Sequence, residues 1–191
     1  MPRKAIFNQE DIINAGFEFA RRHGMQSLSA RKLADELNAS TAPVYSYMGS
    51  IEAVRHQILD RAEELLFEYV KIGYSDEAAL NFQVGIIRFA RDETNLFTSL
   101  FIQQENPQRL IEECGSRLAE ELEKDTSVQD FAREDLQQCA ENRWIFTFGI
   151  ALMVQTGSFD ASDERSVIDK LKSFGHARAI QSSGEQLSMG F

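Results

Sequence analysis

The stretch Leu28–Met48, LSARKLADELNASTAPVYSYM, constrains the fold of this chain more than any other segment. Two short amphipathic segments follow each other with only the polar turn NAS between them. Ser29 can cap the first segment, and Asn38 can end it because Asn tolerates positive φ. Ser40 can cap the second segment, whose first turn contains Pro43, where a missing N–H costs little. Helices joined by so short a turn cross at a steep angle, so the pattern predicts a helix-turn-helix.

A third helix is predicted immediately before this motif. Asn8 can cap it, with Phe7 and Ile12 placed as a hydrophobic staple, and Gly24 can end it after three basic residues. Its apolar positions repeat at helical spacing and can cover the inner faces of the two following segments. Residues 1–49 are therefore predicted to form a small three-helix domain.

The motif leaves one set of side chains on its outer side. They are short hydroxyls, small apolar groups, aromatic hydroxyls and basic groups, a mixture that suits the major groove and phosphates of DNA. The predicted DNA-binding residues are Arg31, Lys32, Ser40, Thr41, Ala42, Pro43, Tyr45, Ser46 and Tyr47. Two other interpretations stay open: the tyrosines could pack the small domain, and the basic pair could be an ordinary solvated face.

The segment SARKLADELNASTAPVYSYM, after a helix ending in HG, resembles the TetR family of bacterial transcriptional repressors over about residues 8–66. The resemblance implies that Arg31, Thr41, Ala42 and Pro43 read bases and that tyrosines at 45 and 47 contact phosphates. Two positions depart from the family pattern. Asn38 replaces the usual turn Gly, and Ile51 replaces a Lys that would add a phosphate contact at the start of the fourth helix.

The rest of the chain is predicted to be helical, which makes the protein all-α. Residues 50–181 are assigned to a larger effector-binding and dimerisation domain, and 182–191 to a disordered tail. Nine helices are expected, the eighth from Val128 to about Gln155 and the ninth from Glu164 to about Ile180. The apolar run WIFTFGIALMV is too short to cross a membrane. It is predicted to join two copies into a dimer through the last two helices, with Gly149 allowing a close approach.

The larger domain is rich in aromatic residues. We consider two roles for them: ordinary core packing, or the lining of a pocket for a small-molecule effector, as the family resemblance implies. The effector-pocket candidates are Phe82, Phe89, Phe97, Phe101, Trp144 and Phe148.

Charge and composition narrow the function classes. Residues 1–48 hold six Lys and Arg against five Asp and Glu, a net charge of +1, whereas 49–191 hold fourteen against twenty-five, a net charge of −11. Only the amino-terminal quarter can therefore approach a phosphate backbone without repulsion. Cys114 and Cys139 have no partner at metal-ligand spacing, and no catalytic motif occurs, so we expect no enzyme, metal or cofactor. A cytoplasmic location is expected because no apolar signal segment opens the sequence.

The sequence thus predicts a ligand-responsive regulator, most simply a repressor. It would bind a palindromic double-stranded DNA operator as a homodimer and leave it when a small molecule binds. The alternative is an acidic helical protein-interaction module of the same fold that no longer binds specific DNA, an interpretation favoured by Ile51 and by the acidic larger domain.

Overall fold

The computed structural model describes residues 7–125, 128 and 132–182, with side chains as far as residue 174. All regular secondary structure in these residues is helical, which confirms the all-α prediction. The helices are α1 (Gln9–His23), α2 (Ala30–Glu36), α3 (Ala42–Met48), α4 (Ile51–Tyr69), α5 (Ala78–Asp92), α6 (Thr94–Phe101), α7 (Gln108–Leu122), α8 (Arg133–Gln155) and α9 (Glu164–Ser182), with a 3-10 turn at Met25–Ser27.

Both ends of α1 form as the sequence predicts. Asn8 Oδ1 accepts a hydrogen bond from the Asp11 amide, and the Asp11 carboxylate accepts one from the Asn8 amide, each at 2.9 Å. This reciprocal pair satisfies two amides that the helix itself cannot bond. At the other end Gly24 has φ 80°, and its amide donates to the Ala20 carbonyl at 2.8 Å. A residue without Cβ adopts this conformation at little cost.

The helix-turn-helix forms as predicted except at the start of α3. Ser29 Oγ accepts from the Lys32 amide at 3.3 Å, and Asn38 has φ 50°, so both predictions for α2 are confirmed. The prediction that Ser40 caps α3 is wrong. The N-cap is Thr41, whose backbone is already helical and whose side chain makes no capping bond. Because Pro43 supplies no N–H, this first turn has fewer amides for a side chain to cap.

The structure divides into two compact units. The first contains the chain up to Tyr69 together with Phe89–Ile111, so α4 and α6 pack with the three amino-terminal helices. It therefore extends beyond residue 49. The assignment of residues 1–49 to DNA binding concerns which residues contact DNA, and it stays a prediction. Within this unit α1 lies very close to α4 at Gly16, where an added Cβ would be 2.8 Å from Ile58 Cδ1.

The second unit contains Val70–Arg88 and the chain from Glu112 onward. Its apolar core brings together residues of α5, α8, α9 and the loop between α8 and α9: Leu80, Val84, Ile87, Ile150, Ala161, Val167 and Leu171. Two residues beside this core carry polar groups. Gln83 Nε2 donates to Thr147 Oγ1 at 2.8 Å, and both side chains are buried. Buried polar groups cost free energy unless they are hydrogen-bonded, and this bond gives each of the two side chains a partner.

Several predicted boundaries shift by a few residues. α9 ends at Ser182, instead of near Ile180. α8 begins at Arg133, later than predicted. Of the predicted disordered tail, only residue 182 falls within the described chain, at the end of α9. None of the helices in the described part of the chain combines the length and apolar character of a membrane span.

Candidate nucleic-acid interface

The predicted DNA-binding side chains lie on the surface of α2, α3 and the turn between them. The two tyrosines are the clearest case, since Tyr45 is 53% exposed and Tyr47 is 50% exposed, whereas Val44, just before them in sequence, is fully buried. About half of each tyrosine residue is in solvent, so neither is a core residue of the first unit. The remaining predicted residues are exposed or half-buried: Arg31, Lys32, Ser40, Thr41, Ala42, Pro43 and Ser46.

The two basic residues of α2 differ in their surroundings. Lys32 Nζ lies 5.8 Å from the centroid of the Phe19 ring, within cation–π distance. Arg31 is exposed and has no ion-pair partner among residues 7–125, 128 and 132–174. Its guanidinium can therefore meet a base edge or a phosphate without first breaking an internal bond.

Contacts from α1 and α4 hold α2 in place. Arg22 Nη2 lies 2.8 Å from Glu36 Oε2, which joins the end of α1 to the end of α2. Arg55 Nη2 of α4 donates to the Leu28 carbonyl at 2.6 Å, just before α2 begins. Sequence analysis missed both arginines, since nothing in their local sequence indicates a partner so far along the chain.

The serine just before α4 caps the first turn of this helix. Ser50 Oγ accepts a hydrogen bond from the Ala53 amide at 3.0 Å. Ile51, the first residue of this helix, is half-buried. The amino end of a helix favours an anion through its free amides and dipole, and an isoleucine adds no charge there.

A buried carboxylate lies beside the same end of α1 as the Arg22–Glu36 pair. Glu93, between α5 and α6, accepts from Arg21 Nε at 2.6 Å and also from Arg21 Nη2. The Tyr69 hydroxyl donates to Glu93 Oε1 at 3.4 Å, and burial together with the Glu93 charge raises the pKa of this phenol. The hydrogen bond to Glu93 likewise raises the pKa of Arg21. The partners are 72 residues apart in sequence, so sequence analysis missed this cluster.

The six effector-pocket candidates fall into two sets. Phe89, Phe97 and Phe101 belong to the first unit and are buried, and the last two rings lie 4.9 Å apart. The second unit holds the other three. Phe82 and Trp144 are buried, Phe148 is half-buried, and the Trp144 and Phe148 rings are 5.6 Å apart.

The second unit also holds a buried acid that sequence analysis missed. Asp125 is 7% exposed, and its Oδ1 accepts from the Ala78 amide at 2.9 Å, at the start of α5. Its Oδ2 has no hydrogen-bond partner in the described chain. Burial raises the pKa of this carboxyl above its ordinary value.

An open groove in the first unit involves none of the six candidates. Its lining residues are Phe17, Arg21, Arg61, Glu64, Leu65 and Glu68. The Arg61 guanidinium already lies 5.2 Å from the Phe17 ring and 3.3 Å from Glu10 Oε1. Across the residues described, no group of three or more His, Cys, Asp or Glu side chains is placed to hold a metal ion.

The structure was compared with known proteins. Neither a protein-family model nor a curated protein matches the sequence. Among solved structures, a TetR-like transcriptional regulator from Rhodococcus sp. RHA1 is 17% identical, with a TM-score of 0.58 over 88% of this chain and 95% of that chain. AmtR of Mycobacterium smegmatis is 18% identical, over 93% of this chain and 97% of that chain, but its TM-score is 0.33. Together with the helix-turn-helix at its amino end, the first of these matches shows that the chain has the fold of a TetR-like transcriptional regulator.

Proposed function

We propose that this protein is a ligand-responsive transcriptional repressor. It binds a palindromic DNA operator as a homodimer and releases it when a small molecule binds. The observation that carries the proposal is the exposed surface of α2 and α3, where Tyr45 and Tyr47 each leave half of their area in solvent beside an exposed Arg31. The fold shared with a TetR-like regulator supports the same assignment.

In this proposal the residues of the interface divide into two roles. Arg31 and the short side chains of Thr41, Ala42 and Pro43 meet base edges in the major groove, where an arginine can donate two hydrogen bonds to guanine. The hydroxyls of Tyr45 and Tyr47 donate to phosphates and fix the orientation of α3. Lys32, Ser40 and Ser46 are assigned to the same surface.

Charge supports contact through this end of the chain. The amino-terminal 48 residues have a net charge of +1, six basic against five acidic, and the remainder has −11, fourteen against twenty-five. Phosphates repel the acidic part and leave the amino-terminal surface as the one that can approach DNA.

A stripe on α8 supports a dimer. Ile145 is 61% exposed and Met153 is 45% exposed, and Gly149 lies between them at a spacing of four residues on the same helical face. A Cβ built at Gly149 meets no atom within 4 Å, so this glycine does not sit in a crowded core of its own chain. A second copy can bury the stripe against its own. In such a dimer the α3 helices of the two copies would lie about 34 Å apart, which matches the spacing of successive major grooves. The exposed side chains in the described part of α9 are mainly polar, so the apolar surface that supports a dimer lies on α8.

The effector is assigned to the aromatic residues of the helical part that follows α4. Trp144 and Phe148 are in ring contact, and Phe82 is buried in the same unit. A small molecule that binds one arrangement of these helices better than another shifts the population between them.

The direct test is fluorescence anisotropy of the full-length protein with the duplex that lies upstream of its own coding sequence, against a random duplex, over a salt series. We expect tighter binding to the upstream duplex and an affinity that falls steeply with salt, because bound lysines and arginines release counterions from DNA. Absence of binding to either duplex at low salt would refute the proposal and favour the acidic protein-interaction module.

A further inference from the structure

Two adjacent arginines at the end of α1 hold different parts of the first unit. Arg22 Nη2 is 2.8 Å from Glu36 Oε2 on α2, the helix that carries Arg31. Arg21 points to the connection between α5 and α6, where its Nε and Nη2 donate to the two carboxylate oxygens of Glu93. The last turn of α1 therefore joins the DNA-facing helix to this connection.

The position of Glu93 in its own helix does not explain why it is an acid. It is the N-cap of α6, yet its side chain makes no capping bond to that helix. Only 1% of the side chain is exposed, against 45% for Arg21. A buried carboxylate is costly unless it is paired and hydrogen-bonded, so the contacts with Arg21 and with the Tyr69 hydroxyl account for its presence.

A residue in the first turn of α6 also binds the end of α1. Asn95 Nδ2 donates to the Arg21 carbonyl at 2.9 Å and so satisfies a carbonyl near the end of the helix. Arg21 is thus held through both its side chain and its backbone. We name Arg21, Tyr69, Glu93 and Asn95 the α1 clasp.

We propose that the α1 clasp is a positioning device that fixes the end of α1, and through the pairing of Arg22 with Glu36 the DNA-facing helix α2. This role rests on the proposed function. The helix α5 runs from Ala78 to Asp92, and its residues up to Arg88 belong to the second unit. A ligand that shifts α5 would displace Glu93, open the clasp and lower operator affinity without touching a DNA-contacting residue.

The chain offers a matched control. Glu63 of α4 also binds an arginine through both carboxylate oxygens, since Arg109 Nη1 donates to Glu63 Oε1 at 3.2 Å and Nη2 donates to Oε2. This pair lies in the same unit and does not include α1. Glu63→Gln therefore removes the same charge from the same kind of pair and leaves the clasp intact.

The test that needs no DNA is hydrogen–deuterium exchange of the full-length protein. We expect Glu93→Gln to speed exchange of the last amides of α1 and of the Gly24 amide by about tenfold, and Glu63→Gln to leave them unchanged. Equal exchange in the two variants would overturn the proposal. If Glu93→Gln does not fold, Arg21→Lys keeps the positive charge at a half-exposed position and loses the two-point pairing, and unchanged exchange in that variant would overturn it as well.

The second readout is DNA preference. Glu93→Gln should reduce the ratio of affinity for the upstream duplex over a random duplex by about tenfold, with the same salt slope as the unsubstituted protein. Glu63→Gln should keep the ratio. If the unsubstituted protein binds neither duplex, the proposed function fails, whereas the exchange experiment still decides whether the clasp holds α1. An unchanged ratio in a folded Glu93→Gln variant would refute the positioning role.

Discussion

Replacing Ile51 by Lys tests whether the start of α4 faces the DNA backbone. Ile51 is the first residue of a helix of 19 residues and follows the cap Ser50 directly, so its side chain lies beside the free amides of the first turn. A lysine there adds one full charge to an end that already favours an anion. One more neutralised phosphate steepens the slope of log affinity against log salt by about 0.9. Relative to the unsubstituted protein, the variant therefore gains roughly eightfold in affinity for each tenfold reduction in salt.

The assay is fluorescence anisotropy over about 50 to 200 mM salt, where the advantage of Ile51→Lys should shrink roughly 3.5-fold. The gain should be the same on the upstream and random duplexes, because a phosphate contact carries no base information. Ile102→Lys is the control, since Ile102 is 52% exposed in the same unit and receives the same charge away from this helix end. A folded Ile51→Lys variant whose slope equals that of the control would refute the reasoning.

Three further substitutions test other parts of the structure. Arg31→Ala should weaken binding to the upstream duplex by about 1–3 kcal/mol and to a random duplex by less, and equal losses on both would remove Arg31 from base recognition. Gly149→Leu should weaken the dimer at least about tenfold in analytical ultracentrifugation, whereas Gly73→Leu, the same change at another exposed and open glycine, should not. Asp125→Asn should raise the free energy of urea unfolding at neutral pH. Burial raises the folded-state pKa of Asp125, so its charged form destabilises the fold above that pKa, and the loss is recovered as pH falls towards the unfolded value. The Asp125→Asn variant should lack this pH-dependent contribution to the free energy of unfolding. The same dependence of stability on pH in the variant and the unsubstituted protein would contradict the prediction.

Local signals in the sequence predicted much of the fold. Asn8 and Ser29 each accept the amide hydrogen bond expected of a helix cap, and Asn38 adopts the positive φ that its place after α2 requires. These features depend on residues three or four apart, so one sequence contains the necessary information. The cap predicted at Ser40 failed because the chain enters α3 with Thr41 already helical.

The parts that sequence analysis missed depend on distant contacts. Arg21 and Glu93 are 72 residues apart, and no local pattern indicates that their helices meet. The aromatic candidates show the same limit, because residue type alone does not tell that Phe97 lies in one unit and Trp144 in the other. Burial of Asp125 at the start of α5 likewise follows from the tertiary packing.

The close approach of α1 to α4 at Gly16 has a mechanical consequence. An added Cβ would lie 2.8 Å from Ile58 Cδ1 and 3.3 Å from Val54 Cγ1, so side chains of α4 pack directly against the backbone of α1 at this point. Ile58 and Val54 are fully buried, which leaves little room for either side chain to change rotamer and absorb a displacement. Because packed interiors resist compression, α4 cannot press closer to α1 at this point. When α4 is pushed towards α1 there, we expect α1 to move with it and to displace α2 and α3, which pack against α1.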